Sequence, residues 1–253
     1  MIRLSMRAWA PLAALVLTGC ATLQGRSNPS PTAQVIVIPS MHGFHKDHPS
    51  YDYEALYQCV RNVHPDLVGV ELREEDIAAG DTYLSQSYPR EMIALRNEHR
   101  AHVFGFDWLG EQIAGRLIPP NWWQELSTVK RLEREMAKDQ SMASKQDDAL
   151  SEQQAEVLKN TTPALLADGR YDRLVRARRA ILRGQAGSGH YAPIVTFTAD
   201  RERHIGDNIV STVRSHPGQT IVLVMGADHH GFAVERLRNE FGRSIRLEAV
   251  PAC

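Results

Sequence analysis

The sequence predicts an α/β fold: a mostly parallel central sheet flanked by helices, carrying a helical insertion. Three observations predict it. Short apolar runs recur at 35–38, 67–72, 102–106, 220–225 and 245–250, and the β-branched ones have the composition of strands buried on both faces. Helical periodicity fills the intervals between them. From about 119 to 184 the texture changes to long, charged and helical, with no strand candidate. The 253 residues are 43% hydrophobic and 23% charged, which excludes a disordered chain. Lys+Arg at 29 against Asp+Glu at 30 leaves no basic field to collect phosphates, so nucleic acid is excluded as the primary partner.

Residues 1–19 stand apart. Arg3 and Arg7 form a positive head, an apolar run follows, and Leu17-Thr18-Gly19-Cys20 closes it. The run is too short for a membrane span of ~20 residues, and head plus short core is the layout of a secretory signal. The last four residues resemble the bacterial lipobox, in which cleavage precedes a cysteine that takes the lipid. The resemblance implies a chain that is lipidated at Cys20, and Ala21 after it implies the periplasmic side of the outer membrane. Loss of 1–19 removes two Arg and no acid, leaving 27 bases against 30 acids. Residues 20–33, rich in Ser, Pro and Asn, read as a tether, and 34–253 as one domain. In the oxidising compartment this implies, Cys59 and Cys253 either form a disulfide or remain a buried and a terminal thiol.

Within the domain, Val35-Ile36-Val37-Ile38 reads as the first strand and 52–63 as a helix with Ala55, Leu56, Cys59, Val60 and Val63 on one stripe. The second strand (67–72), a helix (90–99) and the third strand (102–106) follow. In the insertion, Val129, Leu132, Met136, Leu174, Ala177 and Ile181 are expected to face the core or a cleft. Arg173, Arg176, Arg178 and Arg179 are expected on a mostly solvated face, with a lid over an anionic substrate or a lipid-facing patch as alternatives. A helix at 200–214, the strand 220–225, a helix at 232–241 and a last strand complete the pattern.

Two distant segments, VIVIPSMHGF and VLVMGADHHGF, share a grammar: an apolar strand, a turn residue (Pro39 or Gly226), then His42 or His229, then Gly-Phe. Both histidines are expected just beyond the carboxyl end of a buried strand, where open α/β sheets place their ligands. Glu71 ends the run VGVEL, where a further Val or Ile would suit a buried strand, and a buried carboxylate needs a partner or a metal. Asp107 ends the third run; it serves either as another acid on this rim or as the N-cap of a following helix. Arg201 falls on or near the buried stripe of its helix and needs an acid, either Glu71 or a substrate carboxylate. Imidazole and carboxylate together suit a divalent ion such as Mn, Zn, Co or Fe. His45, His48 and Asp47 form a competing loop cluster in which the histidines are accessory at best, and His230 is a further accessory.

In order and spacing, the strand-PxxH, VGVEL, the Asp200-Arg201-Glu202 helix and the strand-GADHHGF resemble the TraB/PrgY/GumN superfamily, with its Tiki protease, erythromycin esterase and ChaN-type haem-binding lipoprotein relatives. The resemblance spans 34–250 and implies a ChaN/erythromycin-esterase-like fold. It carries the site to His42, Glu71, Arg201 and His229; from their chemistry His42, Glu71 and His229 are the candidate metal ligands. Pro39 departs from the family's glycine, so this turn must differ.

These residues predict convergence of His42, Glu71, Arg201 and His229 on one pocket. The leading expectation is a lipid-anchored hydrolase of ester or amide bonds. Its three strand-end residues would hold a divalent metal or position water directly, with Arg201 stabilising negative charge. No GxSxG elbow is present, so water is the expected nucleophile. A second reading is a haem- or iron-binding outer-membrane lipoprotein without turnover, with Tyr51, Tyr53 and Tyr191 available as axial ligands; a third is a silent scaffold on this fold. The expected partners are a small-molecule or peptide substrate and a membrane reached through the lipid, and a homodimer is allowed.

Overall fold

The computed structural model describes residues 32–253, so the signal segment, the lipidation residue Cys20 and nearly all of the tether lie outside the described residues. Five strands form one all-parallel sheet: β1 (Ala33–Ser40), β2 (Leu67–Val70), β3 (Val103–Gly105), β4 (Thr220–Gly226) and β5 (Ile245–Glu248), in the order β3-β2-β4-β1-β5. Alternation along the strands supplies both faces. Ile36, Ile38, Val68, Val70, Val222 and Val224 pack to one side, and Val35, Val37, Ile221, Leu223 and Met225 to the other.

The first face is covered by α1 (Tyr53–Val63) and α3 (Arg90–Glu98), with the single turn α2 (Asp81–Leu84) between them. Asp52 caps α1 by accepting the Ala55 amide at 2.8 Å, and Leu56, Cys59 and Val60 are wholly buried on its stripe. Burying each such aliphatic side chain stabilises the fold by ~1.5–3 kcal/mol. The opposite face is covered by α8 (Ala192–Ser215) through Ile205, Ile209 and Val213, and by α9 (Ala227–Phe241) through Ala233 and Leu237.

Between β3 and α8 the described chain contains no strand. It runs through a π-turn (Trp122–Leu126), α4 (Thr128–Met136), α5 (Lys145–Lys159), the short α6 (Pro163–Leu166) and α7 (Arg170–Ala186). Ser127, Ser144 and Thr162 cap three of these starts. On α7 the buried residues are Tyr171, Asp172, Val175 and Ala186, whereas Leu174, Ala177 and Ile181 are only half-buried. Nor is the arginine face uniformly solvated: Arg178 forms a two-pronged bond to Asp147 at 2.8 and 3.0 Å, and Arg179 turns inward against α8 and α9.

Two boundaries differ from the sequence expectation in ways that matter for the site. α9 begins at Ala227, five residues before 232, because Gly226 serves as its N-cap and Ala227, His229 and His230 bury against neighbours. α8 begins at Ala192, where Pro193 sits in the first turn and Ile194 is buried.

Candidate active site

The topology creates a crevice. From β1 the chain crosses over β4 to reach β2, with α1 on one face; from β4 it crosses over β1 to reach β5, with α9 on the other. The connections therefore diverge at the carboxyl ends of β1 and β4, the switch point where open α/β sheets bind ligands. Register sets what stands there. Ser40 lies opposite Gly226, Ile38 and Val70 both pair with Val224, and Val70 pairs with Gly105. Glu71 and Asp107 thus emerge on the rim within two residues of the last paired positions.

His42 leaves β1 differently from His229 leaving β4. Pro39 is a strand residue paired with Met225, not a turn, and it is tolerated because β5 stops alongside Ile36. The sharp bend falls on His42 itself, whose φ of 50° is left-handed and costs a non-glycine residue ~1–3 kcal/mol. Three bonds hold it. Its amide donates to Ser40 Oγ at 3.1 Å, its Nδ1 lies 2.7 Å from Glu91 Oε1, and Ser40 Oγ donates to that same oxygen at 2.8 Å. Glu91, in the first turn of α3, is fully buried, and its Oε2 has no hydrogen-bond partner among the described residues. With Glu91 accepting from Nδ1–H, the proton-free Nε2 points over Gly226, 2.5 Å from where a Cβ would stand there. Glycine is required at 226 for this close approach, and Glu71 Oε2 is 3.3 Å from the same point. Burial pulls the His42 pKa down, but the bond to Glu91 and the charge of Glu71 outweigh it and raise the value above its ordinary 6.5.

Glu71 is 5% exposed and has both oxygens engaged: Oε1 accepts from Arg201 Nη2 at 2.7 Å and Oε2 from the Gly226 amide at 2.5 Å. Burial raises its carboxyl, but the facing His229, Arg201 and His42 and the amide bond win and hold it at about 2. Arg201, from α8, also binds Asp107 through Nε at 2.8 Å and Nη2 at 3.0 Å. Asp107 is not an N-cap; its Oδ1 accepts the Trp108 amide, and no helix starts at Trp108. Burial keeps its carboxyl raised despite Arg201, because one guanidinium serves two buried acids.

His229 stands in the first turn of α9 with its ring between two carboxylates. Nε2 is 3.6 Å from Glu71 Oε1 and Nδ1 is 4.0 Å from Glu202 Oε1, and Nδ1 has no hydrogen-bond partner among the described residues. Burial, assisted by Arg201 and Arg179, lowers its pKa to about 4, so it is neutral at pH 7. Glu202 is in turn held by Arg179 of α7, whose Nη2 donates to the Asp228 carbonyl at 2.9 Å.

The structure thus brings His42, Glu71, Arg201, His229 and Asp107 together and leaves the other candidates elsewhere. His45 is structural: Nδ1 donates to the Tyr51 carbonyl at 2.7 Å and Nε2 accepts the Met41 amide at 2.9 Å. His48 accepts the Tyr51 amide and bonds to the Leu158 carbonyl, so the histidine run forms no metal cluster. His230 turns away from the rim to Asp172 of α7, 3.1 Å from both carboxylate oxygens. Sequence reasoning missed Glu91, Ser40, Glu202 and Arg179. Glu202 sat inside the Asp-Arg-Glu motif, while nothing in the composition of α3 singled out Glu91.

These residues do not fit a divalent metal. Arg201 and the Gly226 amide engage the Glu71 oxygens, and the guanidinium already supplies positive charge there. Among the described residues no three His, Cys, Asp or Glu side chains form a group able to hold a metal ion. Of the tyrosines considered as haem ligands, the Tyr51 hydroxyl is buried on the Pro39 carbonyl at 2.6 Å and that of Tyr191 bonds Asp139. What the arrangement offers is proton transfer beside a fixed cation. Compared with models of known protein families, with curated proteins and with solved structures, the chain finds no match in any of the three.

Proposed function

We propose that the chain is a hydrolase of ester or amide bonds in small-molecule or peptide substrates, acting through water and its own side chains. The observation that carries this reading is the Glu91–His42 pair, a buried carboxylate on Nδ1 at 2.7 Å with Nε2 turned toward Glu71 and Gly226. A carboxylate on Nδ1 fixes the tautomer in which Nε2 accepts a proton, and the raised pKa makes that nitrogen a stronger base than a free imidazole. In this reading His42 takes a proton from water as it attacks the carbonyl carbon, and Glu91 stabilises the imidazolium that forms. Arg201, fixed by Glu71 and Asp107 and still 22% exposed at its side chain, faces the developing oxyanion. Glu71, an anion at neutral pH, accepts from the nucleophilic water and orients it. As the tetrahedral intermediate collapses, the His42 imidazolium returns this proton to the leaving oxygen or nitrogen, giving the acid and the alcohol or amine, while the neutral His229 stands beside Glu71.

The test is turnover of 4-nitrophenyl acetate and of a mixed peptide substrate in excess EDTA. His42→Ala should lower kcat by at least ~10²-fold with the fold intact by circular dichroism. Activity that EDTA abolishes and added metal restores would overturn the metal-free reading, and no turnover of any substrate would overturn the hydrolase reading.

We further propose attachment through lipid on Cys20 to the periplasmic side of the outer membrane. The LTGC segment supports this, as does a disulfide joining Cys59 on α1 to Cys253, with Cα atoms 5.2 Å apart, a bond suited to an oxidising compartment. Among the described residues no helix is long and apolar enough to cross a membrane. Palmitate labelling that persists in Cys20→Ala would refute the attachment.

A further inference from the structure

Beside the site lies a cavity of about 530 Å³ that the proposed chemistry leaves unused. Its walls are Trp108, Trp122 and Phe197, aromatic rings contributed by the loop after β3, the π-turn and α8. Small residues, Gly110 and Ala192 among them, leave the space open, and the charged groups on its lining, Glu111 and Asp200, are both acids.

Helix geometry places this cavity next to the reacting groups. Phe197, Arg201 and His204 fall on one stripe of α8 at intervals of four and three residues. The Trp108 ring stacks on both ends of that stripe, with its centroid 5.8 Å from Phe197 and 4.3 Å from His204. It therefore lies across the turn that carries Arg201. Trp108 is also tied to the site through its own amide, which donates to Asp107 Oδ1 at 2.7 Å, the oxygen that Arg201 Nε binds at 2.8 Å. One residue thus forms a wall of the cavity and braces the cation of the site.

We infer that this cavity is the recognition subsite for an uncharged aromatic group of the substrate. The subsite rests on the hydrolase reading for its link to turnover, but not for binding. Aromatic walls favour a flat ring, since offset or edge-to-face contacts add to the burial of apolar area. Acids on the lining disfavour an anionic ligand, and both lie in water, the Glu111 side chain 80% and the Asp200 side chain 42% exposed with Asp200 already paired to Arg203, so they add little for an ammonium.

Binding of N-phenyl-1-naphthylamine, an uncharged aromatic dye that brightens in apolar surroundings, tests this on the purified full chain. Thr196 lines the cavity from an exposed position on α8, so Thr196→Arg fills it with bulk and charge while leaving the core alone. Ala192→Phe narrows it by a second route. The expected result is saturable binding of one dye per chain, tenfold or more weaker in both variants, with 2-naphthol displacing the dye and competing with 2-naphthyl acetate turnover. Dye that fails to bind, or that binds both variants as tightly as the native protein, would overturn the subsite. Displacement by 1-octanol at the same concentration as by 2-naphthol would overturn the preference for a ring, and 2-naphthol that displaces the dye without slowing turnover would overturn the link to the site. Dye binding that is lost in the variants, in a protein that hydrolyses no ester, would sink the hydrolase reading and leave the subsite standing.

Discussion

Arg201→Met removes a guanidinium from between two carboxylates and leaves a side chain of similar reach. Glu71 and Asp107 are each 5% exposed, and each would retain one backbone amide as donor, from Gly226 and Trp108 respectively. Breaking a buried ion pair by removing one partner costs ~3–5 kcal/mol, because the charge left behind is neither solvated nor paired. For a chain of this size that corresponds to a fall in Tm of roughly 6–20 °C near neutral pH. The loss should depend on pH in a definite sense. In the native protein the Glu71 carboxyl is depressed to about 2, so its contribution is present above the unfolded value near 4.5 and lost only as pH falls through about 2. Without Arg201, burial is opposed far less and the carboxyls rise; a raised carboxyl stabilises below its unfolded value and destabilises as pH rises through its folded value. The penalty should therefore be smaller near about pH 4.5 than above about pH 7, and should shrink further as pH falls toward about 2. Calorimetry of both proteins at those two pH values measures it. A penalty equal at both, or below ~1 kcal/mol at neutral pH, would refute the argument that one cation neutralises two buried acids.

Gly226→Ala places a methyl 2.5 Å from His42 Nε2 at a backbone φ of −53° that alanine accepts, so kcat/KM should drop about 10²-fold with little loss of Tm, measured by ester turnover and thermal melts. Glu91→Gln removes the charge that raises the His42 pKa; the acidic limb of the kcat/KM profile should move to lower pH and the rate should fall about 10²-fold, whereas an unmoved limb would exclude His42 as the base. Replacing Cys59 and Cys253 by Ser should cost ~2–4 kcal/mol in urea unfolding, with ~5 kcal/mol as the chain-entropy ceiling for a loop of 194 residues; two titratable thiols in the native protein would contradict the bond.

The strands were the legible part of this chain. Val35 to Ile38 and Ile221 to Met225 are apolar without interruption because both faces are buried, and no helix of this architecture needs that pattern. Glu71 was legible for the converse reason, as a carboxylate where the run called for another aliphatic side chain. Less visible was the start of α9, since Asp228, His229 and His230 are polar and Gly231 is a poor helix former; tertiary burial against β1 and α7 overrides that propensity. Glu91 was hidden because its partner is 49 residues away and a glutamate in the first turn of a helix is ordinary there. Arg178 and Arg179 read as solvated because a basic run carries no mark of which members will find Asp147 or Glu202 across the fold.

His229 and His230 are consecutive residues with opposite allegiances. The first faces Glu71 at the rim, and the second is clamped by Asp172 of α7, whose carboxylate carbon lies 2.6 Å from where a Cβ on Gly231 would stand. Arg179, two turns further along α7, grips Glu202 on the other side of the His229 ring. The segment between β3 and α8 is consequently not a detachable cassette on a finished pocket. In a chimera, a donor segment would need to bring its own equivalents of Asp172 and Arg179, spaced seven residues apart on one helix, before the recipient's imidazole could keep its place.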